Sequence, residues 1–446
     1  MIARIIVAML LLSFTQGAGG QTRKVSVESL LYDLKHPEAE RRRQAAIWLG
    51  QNRVRKALPA LIEATSDPDE GVRLEAGKAL VALRDPAALE ALIVLLQDSE
   101  KETRLLAVDG IVDLYVAEQG GFMYSMRKVA DVVNPLDDDF DPKIVDSYVE
   151  VDPRAIEGLT GRLRDDEAAV RKKTAQALGI LRGHQALPEI QAQLTAETNS
   201  GIRVELIRAI YKIADREAAR SLIPLIRDDD KKVHDEAIYT LGRLQVAEAA
   251  SYLRELYDDD IQERRKILRV VPVSSKDNLQ RNLFQSLAFI GDPASKDLFA
   301  ASLTDGRDFY RRYAAEGLAR IAESSLTTEM ARAFLREKDQ AARLAMSFAL
   351  YRMGRQEHLD DLVRNVSRDQ VGGYLLDFDP QQIRELYPYL EQGEASTISR
   401  LLEIIGIKGD SEALSIAERY SRSDHSEVLA AATLAVRRLR ARGVSE

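Results

Sequence analysis

The sequence predicts an all-α superhelix, a right-handed solenoid of helical hairpins, and three observations carry that prediction. The first is a recurring phrase: VRLEAGKAL at 72–80, VRKKTAQALG at 170–179 and IRVELIRAI at 202–210. The second is its period. The closing Leu or Ile of each copy falls at Leu49, Leu80, Ile111, Leu178, Ile210, Leu241, Leu287, Leu318 and Leu350, in steps of 31, 31, 67, 32, 31, 46, 31 and 32. A fixed spacing of this size marks units that bury their apolar face only against their neighbours. The third is composition. The 446 residues are 45% hydrophobic and 30% charged with few aromatics, which suits ordered helices and excludes a disordered chain.

Residues 1–20 come first in chain order. MIAR is a positive start, IIVAMLLLSF an apolar run and TQGAGG a small-residue exit, the layout of a secretory signal peptide cleaved after Gly19 or Gly20. The run is short of the roughly 20 residues that cross a bilayer. The expectation is an exported protein, periplasmic or extracellular, beginning near Gln21 and holding no transmembrane segment once the leader is removed.

Residues 21–115 hold an N-terminal cap, which includes the only tryptophan, Trp48, and the first three units. In the second unit Val72, Ala76, Ala79, Leu80 and Leu83 share one face of a 3.6-residue helix. Asp85-Pro86 breaks that helix, because proline lacks the amide hydrogen and restrains the residue before it. Leu89, Leu92, Val94, Leu95 and Leu96 then mark its partner.

The step of 67 exposes an insert at 116–152. It gathers Phe122, Tyr124, Phe140 and Tyr148 with a Gly120-Gly121 pair and an acidic run at Asp137, Asp138, Asp139 and Asp141. Inserts in a solenoid form loops on one face, often the binding face, and aromatic anchors among polar groups are typical of interface hot spots. Those four aromatics are therefore the candidate partner-binding residues. The plainer alternative is a helix–loop–helix packed over the third unit. The acidic run lacks the glycine and alternating carboxylates of a calcium loop and reads as a solvated turn.

Units resume over 153–260. A second, short insert at 261–278 carries Arg264, Arg265, Lys266 and Arg269 directly after Asp258, Asp259 and Asp260, where opposite charges neutralise one another. Further units fill 279–366. A degenerate unit at 367–396 loses the phrase and gains Tyr374, Phe378, Tyr387 and Tyr389, and C-terminal units with a cap occupy 397–446.

A carboxylate precedes the repeated arginine by six residues in almost every copy. The pairs are Asp67 and Arg73, Asp98 and Arg104, Asp165 and Arg171, Glu197 and Arg203, Asp305 and Arg311, and Glu337 and Arg343; in one copy the arginine is replaced, giving Asp228 and His234. A carboxylate near a helix start meets the positive end of the dipole and caps free amides. Along a stack, such carboxylates and guanidiniums can alternate as a structural ladder between adjacent units.

The phrase D-x-x-x-x-x-R-x-x-A-x-x-A-L-G, followed by a short turn and A-L-x-x-L, resembles the HEAT repeat in its short bacterial variety named after the phycobilisome lyases. The resemblance covers residues 36–115, 155–257 and 279–360, and more weakly 397–440. It implies an α-solenoid of about ten to twelve repeats and is nearly silent about function, because one repeat serves many binding roles.

Composition narrows the chemistry. There is no cysteine, so disulfides, thiolate metal sites and cysteine nucleophiles are excluded. A net charge of −8 opposes a nucleic-acid surface. His36, His184, His234, His358 and His425 show no metal-ligand spacing, and the His-Glu pairs of iron-binding HEAT enzymes are missing. No phosphate loop, dinucleotide fingerprint or nucleophile elbow occurs. The expectation is a non-catalytic scaffold or adaptor of the cell envelope, without cofactor or metal, that binds another protein through its concave face and inserts. The alternatives are an enzyme or enzyme subunit of the phycobilin-lyase kind, or a structural envelope spacer.

Overall fold

A computed structural model describes residues 26–116, 144–267 and 278–445. The leader, most of the first insert with Phe122, Tyr124 and Phe140, and the side chains of Arg264, Arg265, Lys266 and Arg269 lie outside the described residues. No strand occurs among the described residues, and none of their helices is long and apolar enough to cross a membrane. The architecture is an all-α solenoid. Contacts divide the chain between Leu83 and Arg84 into two compact units.

In the first unit, helices α1 (Ala39–Gln51) and α2 (Glu70–Leu83) pack side by side. Ala45, Leu49, Leu61, Val72, Ala76 and Leu80 form its core, each at most 1% exposed. In the second unit a continuous row runs through α3 (Lys101–Val116), α4 (Ala168–Ile180), α5 (Ser200–Ile213), α6 (Lys231–Arg243) and α7 (Asn278–Ile290). It continues through α8 (Asp308–Ile321), α9 (Gln340–Arg352), α10 (Asp369–Leu376), α11 (Ala395–Lys408) and α12 (Ser426–Ala441). Shorter helices such as Leu187–Ala196, Lys296–Ser302 and Thr327–Arg336 lie against this row as a second layer.

Local chemistry sets the helix limits. The side chains of Asn199, Asp230 and Asp339 accept from the amides of Ile202, Val233 and Ala342 and so start α5, α6 and α9. Left-handed residues follow seven row helices, at Arg182, Ala214, Gln245, Gly291, Ala322, Gly354 and Gly443. The glycine of the repeated phrase fixes how closely the row packs. A Cβ on Gly179 would sit 2.9 Å from Ala209 Cα, and one on Gly242 would sit 2.6 Å from Ser286 Cα, so neither position has room for a side chain. All nine closing Leu and Ile residues are at most 1% exposed. Each contributes about 1.5–3 kcal/mol by leaving water.

The degenerate unit is shortened rather than lost. Helix α10 has 8 residues, and buried aromatics fill the space that a longer helix would occupy. Tyr374 stacks on Phe348 with ring centres 4.5 Å apart, and Phe378 stacks on Tyr351 at 4.9 Å.

Candidate functional site

The ladder arginines share one geometry. Arg171 on α4 directs Nε and Nη2 to the Glu197 carboxylate at 2.8 and 3.3 Å, while Nη1 donates to the carbonyls of Asp165 and Asp166 at 2.8 and 3.1 Å. Arg104 bonds Asp165 at 2.8 and 2.9 Å and the carbonyl of Asp98 at 2.8 Å. Arg311 bonds Glu337 at 2.6 and 2.9 Å and the carbonyl of Asp305 at 2.9 Å, and Arg203 bonds Asp228 at 3.1 and 2.6 Å. In the first unit, Arg42 bonds Asp67 at 2.6 and 2.7 Å, and Arg73 donates to the carbonyl of Asp67 at 3.1 Å.

At Arg73, Arg104, Arg171 and Arg311 the acidic residue six positions back thus contributes its backbone carbonyl, and the carboxylate that Arg42, Arg104, Arg171, Arg203 and Arg311 grip belongs to the next copy. Those carboxylates also accept amides at the following helix start, as Glu197 does from Asn199 at 3.0 Å and Asp165 from Glu167 at 3.0 Å. Arg171 leads the effects that hold the Glu197 carboxyl below its ordinary range, with burial opposing. At Asp165 burial is the largest single effect and raises the carboxyl, but Arg104 and the helix amide outweigh it. A guanidinium has five N–H donors in a rigid fork, and stacking absorbs most of them in these residues.

Three positions depart from the pattern. Asp305 turns its carboxylate to Arg307, at 3.0 Å on each oxygen. Arg343 has no carboxylate partner among the described residues and lies 3.9 Å over the Phe334 ring while donating to the Phe334 carbonyl at 2.9 Å. His234, standing where an arginine is expected, is held by burial below the usual imidazole range.

Of the four candidate partner-binding aromatics, Tyr148 lies among the described residues. The Arg437 guanidinium sits 5.6 Å over its ring. Two residues earlier, Asp146 accepts from Arg438 of α12 at 2.7 and 2.8 Å across 292 residues of sequence. The Val145 amide donates to the Ile180 carbonyl at 2.8 Å, so this short segment ties the end of α4 to the last helix. Beside it opens a cleft of about 340 Å³ lined by Val145, Asp146, Ile156, Arg182 and His184. Periodicity gave no sign of this contact.

A second group of side chains was missed by the sequence reading, and its signal is a register. Two positions after the closing Leu or Ile, the first four copies carry Gln51, Ala82, Asp113 and Ile180; the next five carry Lys212, Arg243, Phe289, Arg320 and Arg352. Two positions before it stand Arg208, Tyr239, Gln285, Glu316 and Phe348 in those five copies. Three and four residues apart along a helix is one face.

These residues converge. Glu316 on α8, 1% exposed, accepts from Arg312 at 2.9 Å and from the Tyr374 hydroxyl at 2.6 Å, with Arg320 at 3.5 Å. Arg320 also bonds Asp377 at 2.9 Å, and Gln245, beyond the end of α6, reaches the same carboxylate at 3.4 Å. Groups from α6, α8 and α10 therefore meet at one point, which makes this face of the second unit's row the concave one. Gln285 donates to the Tyr313 hydroxyl at 2.7 Å. Arg243 and Arg320 lie 4.9 and 5.4 Å from the Phe289 ring centre, and Arg281 lies 4.2 Å from that of Phe309.

Electrostatics fix the protonation of this floor. Burial works against charge on Glu316, yet Arg312 and Arg320 hold its carboxyl below the usual range. Burial and then Glu316 push the Tyr313 phenol up to about 12, and the same two causes push Tyr374 well above its ordinary value. Both phenols stay protonated at neutral pH. Protein crowds Arg243 and Arg312 on most sides, but solvent still reaches both. Among the described residues no carboxylate pairs with Arg243 or Arg281, and no group of His, Asp or Glu is placed to hold a metal ion.

With this geometry in place, the relatives can be compared. A family profile described as HEAT repeats matches residues 27–111 and 187–271. These stretches are similar to HEAT repeats. Over 77 residues the chain is 35% identical to the bilin biosynthesis protein PecE of Mastigocladus laminosus and 30% identical to that of Nostoc sp. PCC 7120. Each match covers 17% of this chain and 29% or 30% of the relative, so the chain spans less than a third of the length of the curated relatives it matches. Among solved structures, an engineered protein is 17% identical with a TM-score of 0.44, covering 93% of this chain and 98% of its own. The CpcE–CpcF complex of phycocyanin lyase from Nostoc sp. PCC7120 is 19% identical with a TM-score of 0.26, covering 76% and 97%.

The curated relatives correct one expectation. A chain without catalytic role was inferred from missing nucleophile, metal and phosphate motifs, but the relatives it matches are named for bilin biosynthesis. The inference failed physically because those motifs report only the chemistries that need them. A repeat surface that binds and orients a pigment or a partner leaves no such fingerprint.

Proposed function

We propose that this chain is an enzyme subunit of the phycobilin-lyase kind, whose HEAT array holds a protein partner and a bilin in a fixed relation. The observation that carries the reading is the 35% identity over 77 residues to a bilin biosynthesis protein. It is supported by the concave, arginine- and tyrosine-rich face of the second unit, where Arg243 and Arg281 have no carboxylate partner among the described residues. Because the chain has no cysteine, it would hold pigment without a thioether bond of its own. The protein would act by proximity and orientation, keeping two reactants in one geometry. The test is a titration of the purified protein with a bilin, read by visible absorption, followed by addition of a pigment-free phycobiliprotein subunit. A saturable spectral change and pigment transfer that depends on this chain are expected. No spectral change with bilin would end the reading.

A second reading is favoured by the layout of residues 1–20: an exported, envelope-associated binding protein that captures its partner through Phe122, Tyr124, Phe140 and Tyr148 of the insert. Fractionation of the native host separates the two. Mature protein beginning near Gln21 outside the cytoplasm supports export; an intact Met1 in the cytosol removes it.

A further inference from the structure

We infer that the concave face of the second unit is a binding site for a planar, conjugated ligand bearing carboxylates, with Arg243, Arg281 and Arg312 as its anchors and the half-buried Phe309 as its flat wall, while Phe289 lies buried beneath Arg243 and supports it. In naming a pigment-like ligand the inference rests on the reading above; the site itself rests on side-chain chemistry.

The first argument is charge. Arg312 and Arg320 pair with Glu316 and Asp377, and Arg243 and Arg281, over the Phe289 and Phe309 rings, add two positive charges that no carboxylate pairs among the described residues, in a chain of net charge −8. On the neighbouring helices Arg208 lies between Glu205 at 3.6 Å and Glu236 at 3.1 Å, so those carboxylates already have a cation of their own. Acidic residues outnumber basic ones by 71 to 63, so the unpaired arginines do not reflect a shortage of carboxylates. Crowding a guanidinium without giving it an anion works against its solvation, and a ligand carboxylate relieves that.

The second argument is shape and rigidity. A guanidinium fork matches a carboxylate with two parallel hydrogen bonds, while aromatic faces accept a flat ring system. Below them the floor is locked: Glu316 is held by Arg312, Arg320 and Tyr374, and Gln285 by Tyr313. Buried polar groups satisfied in this way keep their positions, which is what a preorganised site needs. The third argument is register. Cations occupy the position two residues after the closing Leu or Ile in four of the last five copies and in none of the first four. Stacking alone would treat all nine copies alike.

The test uses the full chain, an Arg243→Gln, Arg281→Gln double variant and three probes: biliverdin, naphthalene dicarboxylate and the dimethyl ester of the latter. Neither arginine makes an ion pair among the described residues, so the variant gives up only two cation–π contacts and the Arg243–Tyr211 hydrogen bond; it should melt slightly below the parent with its helicity intact, and circular dichroism checks this. We expect the parent to bind both carboxylates and not the ester, and the variant to bind them roughly tenfold or more weakly, the loss usual for one charge-assisted contact. Arginine-dependent binding of the naphthalene probe without biliverdin binding would keep the site and remove the bilin reading. Biliverdin binding that the variant retains in full would keep the bilin reading and overturn the site. If the parent binds neither carboxylate probe, or binds only an acidic peptide through these arginines, the inference is wrong.

Discussion

Arg171 and Arg243 stand on helices of the same row, two copies apart, and are used in opposite ways. Arg171 grips Glu197 of the next copy and two carbonyls of its own turn, so its hydrogen bonds are absorbed by stacking. Arg243 faces solvent beside Phe289 and has no carboxylate partner among the described residues. One arginine recurs with its partner at a fixed offset; the other appears only where the register changes character. The difference separates what a repeat needs in order to stack from what it has to spare for recognition.

The sharpest way to break that comparison is to attack the floor on the Arg243 side. Glu316 is fully buried and neutralises Arg312 and Arg320. Glu316→Ala leaves Arg312 without a carboxylate and the buried Tyr374 hydroxyl without its acceptor, while Arg320 keeps Asp377, and breaking a buried pair in this way costs about 3–5 kcal/mol. Urea unfolding followed by far-UV circular dichroism should show a loss of that size. A loss below about 1 kcal/mol would mean that water already shares the cluster, and the locked floor would have to be abandoned.

Next in size is the ladder. Arg171→Ala should lower stability by roughly 0.5–3 kcal/mol, the range for disturbing a partly buried charged network, and leave binding of any carboxylate probe unchanged. A variant with native melting and lost binding would reverse the assignment and make the ladder a ligand row.

The two regions also differ in how far the sequence could disclose them. The stacking geometry was legible because it is periodic: Leu178, Ile210, Leu241 and the glycine after Leu178 recur at fixed steps, and so do Asp165, Arg171 and Glu197. The detail that the arginine reaches forward to the next copy, while taking a carbonyl from its own, follows from helix stacking and not from spacing alone. The concave cluster was written in the register around the closing residues, as Lys212, Arg243, Phe289, Arg320 and Arg352, but as a change between copies, which a search for sameness passes over. Its contacts depend on curvature. Tyr374 meets Glu316 across 58 residues and Asp146 meets Arg438 across 292, and no period predicts either.

Acid titration sharpens the contrast at a smaller scale. Asp165, Glu197, Asp228 and Glu337 all have carboxyls held below their ordinary range in the folded chain, and Arg104, Arg171, Arg203 and Arg311 supply much of the lowering against the opposing effect of burial. Their contribution to stability is therefore complete above the ordinary carboxyl range and is lost as pH falls through the depressed folded values. Thermal melting followed from neutral pH down past pH 4 should show a decline that is shallower in Arg171→Ala, because Glu197 then titrates near its unfolded value. Parallel declines in parent and variant would show that Glu197 owes its shift to the helix amides alone.

The smallest effect is expected where the ladder has lost its partner. Arg171 and Arg311 each bond a carboxylate 26 residues ahead, and the residue at that offset from Arg343 is Asp369. Asp369, at the start of the shortened α10, instead accepts from Arg400 at 2.7 Å. Arg343 is left exposed, with its guanidinium over Phe334, whose ring also meets His358 edge-on at 4.9 Å. A cation over an exposed ring is worth about 0.5–1 kcal/mol. Arg343→Ala should therefore cost no more than that, clearly less than Arg311→Ala, although both residues close the same position of the same motif. Matched urea titrations of the two variants check the ordering. Equal losses would mean that the arginine stabilises through its stem and its carbonyl bond, and the forward carboxylate would no longer be what makes a ladder rung.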